Sequence, residues 1–267
     1  MAEFGASPSG IISLDCSTAY CRALVQQHLQ GFDLVFSAGP YCRSAFHLRR
    51  LFNQSQAFPF DWWVTPASSL LRMLHPDYRF KLSAADVHLT QAAQVVFNSR
   101  DLILHLHDFE RTADGAISFG QQDSQLENIN VKYTFLFERL RTRLREAKRC
   151  LLIFEGFLPA RDLEAHRQRT PCPSMTYPDL SPTFAPELAA LLREAYGVEP
   201  TLVCFGFGSP SIESQPDLLR ITAPVLSSPF DHEAEAWQRP WASFDLLMVL
   251  LSAAVSPEAG LAGYASS

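Results

Sequence analysis

Cys42 follows a short apolar run, Leu34-Val35-Phe36, and a turn, Ser37-Ala38-Gly39-Pro40. Tyr41, Ala45, Leu48 and Phe52 then recur at helical spacing. Glycine permits an unusual backbone angle at such a turn, and proline suits the first helical position because its missing N–H would be unpaired there. The spacing therefore predicts a strand, a tight turn and an amphipathic helix, with Cys42 in the first helical turn. There, free N–H groups and the positive end of the helix dipole favour a thiolate over a thiol. A nucleophilic cysteine needs that setting. A small apolar side chain packed into a strand–helix junction is the alternative reading of the same residue.

A thiolate nucleophile needs a base, and the base a group that orients it. Leu104-His105-Leu106-His107-Asp108-Phe109 offers both at the end of an expected strand over residues 102–107. Side chains alternate along a strand, so His105 and His107 are expected on one face, Leu104 and Leu106 on the other. A His-x-His pair also has ligand spacing for a metal, with Asp61, Asp108, Asp231 or His232 as a third ligand, and a crevice of simply hydrogen-bonded histidines is the third possibility. Asp61 lies in Phe58-Pro59-Phe60-Asp61-Trp62-Trp63, where four bulky rings leave a carboxylate poorly solvated. It is expected either to be paired, capping a helix or bonding backbone amides, or to belong to the site. Asp231-His232, ahead of Trp237 and Trp241, is a second acid–base candidate ranked below His107.

The elements that must position these groups alternate between helices and short apolar strands. Helices are expected at 18–30, 67–74, 125–148, 187–196 and, interrupted by Pro240, 233–255. Strands are expected at 34–36, 102–107, 150–154, 201–205 and 218–222, with one or two edge strands in 87–97. No Asn-Gly hairpin signal is present, which favours a three-layer α/β fold. It has a mostly parallel sheet with helices on both faces, and Cys42 and His107 at the carboxyl ends of its strands. Residues 1–30 read as a leader with a short helix, 31–255 as one domain with an irregular insertion at 159–186, and 256–267 as a tail.

Composition narrows the class. The chain has 267 residues, 47% hydrophobic and 19% charged, with a formal charge of -6. That is a globular protein without the basic face of a general nucleic-acid binder. Arginines 139, 141, 143 and 145 scatter around a helix surface. The six cysteines form no C-x-x-C pair, so neither a zinc ribbon nor a disulfide-dense scaffold fits. No signal peptide and no apolar stretch of membrane-spanning length is read, and no cofactor is expected. A reduced cytoplasmic location follows as the default, with export as an effector the alternative. There is no G-x-S-x-G, P-loop or complete G-x-G-x-x-G motif.

Several segments together resemble the bacterial DUF1796 family, described as papain-like cysteine peptidases. They are Ser37-Ala38-Gly39, Cys42, Leu48-Arg49-Arg50, Pro59-Phe60-Asp61-Trp62, His107-Asp108-Phe109, Lys132-Tyr133 with Arg139 and Arg143, and Leu151-Leu152-Ile153-Phe154. They cover roughly residues 33 to 155. The resemblance implies Cys42 as nucleophile, His107 as base and Asp108 or Asp61 as orienting carboxylate; the residues by themselves leave His105 and His232 open as the base. The expected activity is a cysteine-dependent hydrolase or acyl transferase acting on an amide, ester or thioester in a peptide or small molecule. Ser37, Gly39, Tyr41, Arg49, Trp62 and Trp63 are expected to contact substrate, with Phe58 and Phe60 walling the pocket. The alternative function is a Rossmann-like transferase or binding module, holding a sugar nucleotide or phosphate at the Ser37–Gly39 turn.

Overall fold

A computed structural model describes residues 31–39, 44–46, 48–49, 55–89, 95–157, 183–207, 211–215 and 218–223. Two sheets organise them. The larger has five strands: β1 (Leu34–Gly39), β6 (Arg149–Phe157), β7 (Glu199–Phe207), β9 (Leu218–Ala223) and β8 (Ser211–Gln215), in that spatial order. The pairings β1/β6, β6/β7 and β7/β9 are parallel, and β8 closes the edge as the antiparallel partner of β9. The expectation of a mostly parallel sheet holds for this unit.

The smaller sheet departs from it. β2 (Trp63–Val64), β5 (Ile103–His105), β4 (Val96–Asn98) and β3 (Val87–Leu89) pair in that order, all antiparallel. The β4–β5 turn needs no Asn-Gly. Asn98 and Asp101 bond each other, the Asp101 N–H to Asn98 Oδ1 at 3.1 Å and Asn98 Nδ2 to Asp101 Oδ2 at 3.2 Å. Leu102 takes a left-handed φ of 54°. Side chains thus replace the usual turn glycine. The strand expected over 102–107 is accordingly only Ile103–His105, because Leu102 belongs to the turn and the chain leaves the sheet after His105.

Among the described residues, helices α1 (Ala67–Leu74), α2 (Gln122–Glu146) and α3 (Phe184–Tyr196) pack with these sheets. α2 buries the predicted stripe Leu126, Ile129, Tyr133, Leu136, Phe137, Leu140 and Leu144. α3 begins inside the expected insertion, since Phe184 and Ala185 are buried in the core and Pro186 is tolerated in a first helical turn. It stops at Gly197, whose φ of +69° and N–H bond to the Arg193 carbonyl form a left-handed cap.

Alternate residues of the parallel strands (Phe36 and Ala38, Leu152 and Phe154, Leu202 and Cys204) join these helices in one core, which also takes in Trp63, Val96 and Ile103. Leu151, Ile153 and Val203 point to the opposite face and are buried too. The parallel strands β1, β6, β7 and β9 lie in chain order across the sheet, so among the described strands there is no reversal of direction at which a nucleotide crevice would open. No helix among the described residues is long and apolar enough to cross a membrane. The helices read at 18–30 and 233–255 and the tail lie outside the described residues.

Candidate functional site

The stretch after the 3-10 turn Pro59–Trp62 is the hub of the region. Asp61 is buried, accepting the Phe58 N–H at 3.0 Å and Arg49 Nη2 at 2.9 Å. Burial pushes its carboxyl up to about 6, against the pull of the Phe58 N–H and the Arg49 charge. Arg49, from the helical residues that follow Cys42 in sequence, also lies over the Trp62 ring at 4.8 Å. Asp61 is therefore both paired and perturbed, as its aromatic surroundings require.

The four aromatic residues here divide by environment. Phe58, Phe60 and Trp63 are core residues, so they do not wall an open pocket, and Trp63 is not placed to touch a substrate. Trp62 alone of the group is half-buried and reaches the surface. Its neighbour there is His107, an exposed residue whose ring meets the indole edge-on at 5.6 Å between centroids. Partial desolvation holds the His107 imidazole below its ordinary value. The charges of Arg111 and Lys132 act in the same sense, and that of Asp108 opposes them. A ring in that state is neutral at pH 7 and able to accept a proton.

Asp108 does not serve His107. Its side chain turns inward, wholly buried, and accepts His105 Nδ1–H at 2.7 Å, Trp63 Nε1–H at 3.0 Å, Tyr133 Oη–H at 2.8 Å and Lys132 Nζ at 2.6 Å. Burial alone would raise this carboxyl. The His105 hydrogen bond and charge, with the Lys132 charge, overcome that and hold it well below the usual carboxylate range. Tyr133 moves the other way, its phenol raised by burial and by the facing carboxylate.

His105 is boxed by Trp63, Phe80, Phe109 and Tyr133, and its Nε2 has no partner. His105 and His107 thus occupy different environments, one in the core and one at the surface, because β5 ends between them. The shared face required for a joint metal site is not formed. Among the described residues no cluster of three potential ligands occurs.

At the end of β1, Ser37 is buried and its Oγ accepts the Gly39 N–H at 3.3 Å. A bulge separates Ser37 from Gly39 in the pairing with β6. Gly39 has φ +91°, and a Cβ there would come within 3.2 Å of Thr65 Cβ. Close packing of backbone on Thr65 is what the glycine allows. Tyr41, Cys42, Asp231 and His232 lie outside the described residues.

Tyr133 and Lys132 are partners of Asp108 to which the sequence reading gave no role in the site, and Trp63, expected against substrate, is a third. Tyr133 falls in the apolar stripe of α2, where it passes for a core residue; its hydroxyl, which must find a partner when buried, was the available signal. No family model, no curated protein and no solved structure matches the chain.

Proposed function

We propose that this chain is a cysteine-dependent hydrolase or acyl transferase acting on an amide, ester or thioester, with Cys42 as nucleophile and His107 as base. One observation carries the reading. Both flanks of Cys42 and the exposed imidazole converge on residues 61–65: Gly39 packs on Thr65, Arg49 binds Asp61 and covers Trp62, and His107 rests on Trp62. Residues that carry the DUF1796 resemblance, far apart in sequence, meet in the same way, Arg49 with Asp61 and Asp108 with Lys132 and Tyr133.

In the reaction, His107 takes the Cys42 S–H proton as the sulfur bonds to the carbonyl carbon, and the imidazolium gives that proton to the leaving group as its bond to the carbon breaks. Water or an acceptor nucleophile then gives its proton to His107 and displaces the thiolate. Backbone N–H groups around Cys42 stabilise the oxyanion. Asp108, locked to β2, β5 and α2, anchors the residue next to His107 and so fixes where that imidazole can stand.

A three-layer arrangement belongs to the proposal, supported by the burial of Leu151, Ile153 and Val203 on the sheet face away from α2 and α3. So does a reducing, cytoplasmic location, supported by the free, buried thiol of Cys150.

Iodoacetamide at pH 7 followed by peptide mass spectrometry tests the thiolate. Cys42 should alkylate fastest. Cys150 and Cys204 should lag, being buried, with burial pushing the Cys150 thiol up to about 12. Cys42→Ala should abolish turnover of acyl thioesters. Turnover retained by that variant would overturn the proposal.

A further inference from the structure

The surroundings of His107 are charged differently from the chain as a whole, which carries a formal -6. Arg111 Nη2 donates to the Leu106 carbonyl at 3.0 Å, one residue before His107, and Nη1 to the Gly115 carbonyl at 2.7 Å. Lys132 approaches from α2, bound to the residue just after His107. Arg49 covers the Trp62 ring against which the imidazole stands.

Two carboxylates of the region, Asp61 and Asp108, face inward. Asp108 is wholly buried beneath its four donors, and Asp61 is buried under Arg49. Glu110 and Asp114 are exposed in the same loop, with Asp114 accepting the Thr112 hydroxyl. The charges acting on the His107 ring are those of Asp108, Arg111 and Lys132. Solvent therefore meets an imidazole and an indole rimmed by two guanidinium groups and an ammonium.

We infer that the site selects an acyl group bearing a carboxylate, which the rim formed by Arg49, Arg111 and Lys132 would hold beside His107. The inference rests on the acyl-transfer reading of the site. Cations placed around a reactive group raise the local concentration of an anionic substrate and its rate of encounter, and salt weakens both.

Two thioesters of N-acetylcysteamine with similar chain length, succinyl and butyryl, separate charge from size. The succinyl compound should show a kcat/KM about tenfold higher at low ionic strength. That advantage should shrink as salt rises from about 0.01 M to about 1 M. Arg111→Gln should lower the ratio of succinyl to butyryl kcat/KM. Free succinate and butyrate give a readout independent of catalysis: succinate should shift the His107 ring resonance in the intact protein, and butyrate should not.

Equal, salt-independent rates on the two thioesters, or a His107 resonance indifferent to succinate, would overturn the inference. A succinate shift lost in Arg111→Gln, in a protein that turns over neither thioester, would uphold the anion site and sink the nucleophile.

Discussion

His105 Nδ1–H donates to Asp108 Oδ2 across 2.7 Å with both side chains sealed from solvent. The same carboxylate takes the Trp63 indole N–H and the Tyr133 hydroxyl, tying β2, β5 and α2 to one buried charge. These donors depend on the carboxylate, because a donor stranded in a medium of low polarity loses its water without compensation.

Asp108→Ala strands three buried donors at once. Each orphan costs about 1–3 kcal/mol, and breaking a buried ion-paired group costs about 3–5 kcal/mol overall. Urea denaturation of Asp108→Ala should therefore show a loss of that size. Asp108→Asn, which keeps one acceptor oxygen, should fall between it and the parent. A midpoint unchanged in the alanine variant would mean that the node does not support the fold.

The Asp61–Arg49 pair predicts an opposite dependence on acidity. The Asp61 carboxyl is raised from 3.8 to about 6 in the folded chain, with burial the leading cause. Between those values the native state binds more protons than the unfolded state, so the Asp61 contribution is full below 3.8 and declines as pH rises through about 6. Its size is on the order of 3 kcal/mol. Asp108, held below the ordinary value, gives the reverse slope, but only where pH falls beneath 3.8. Urea midpoints compared at intervals across this range should thus decline with pH in the parent relative to Asp61→Asn. Parallel curves for the two proteins would refute the assignment.

These two carboxylates also mark what was legible in the sequence. Asp61 announces itself, because four neighbouring rings leave it no water. The apolar runs of β6 and β7 and the stripe of α2 are equally plain, being long, periodic and buried on a whole face. The small antiparallel sheet is not. Its strands are two or three residues long, too short for alternation to register. Its β4–β5 turn is set by the Asn98–Asp101 side-chain bonds, which no dipeptide signal reports. Asp108 was read beside His107 because they are neighbours in the chain. The end of β5 at His105 reverses that relation and gives the carboxylate to the histidine three positions back.

Gly39 ends β1 three residues before Cys42 in sequence, and two separate costs protect it. Its φ of +91° is unfavourable for any residue with a Cβ, and that Cβ would sit 3.2 Å from Thr65 Cβ. Gly39→Ala should destabilise the protein by about 1–3 kcal/mol. A double-mutant cycle divides the total. Thr65→Gly removes the atom that an added Cβ would meet but leaves the backbone angle unchanged, so the coupling between the two substitutions reads the contact share alone. If the angle dominates, Gly39→Ala will cost as much in the Thr65→Gly background as in the parent. If the contact dominates, most of the cost will vanish there. A Gly39→Ala variant as stable as the parent, measured by urea denaturation, would show that the end of β1 relaxes freely.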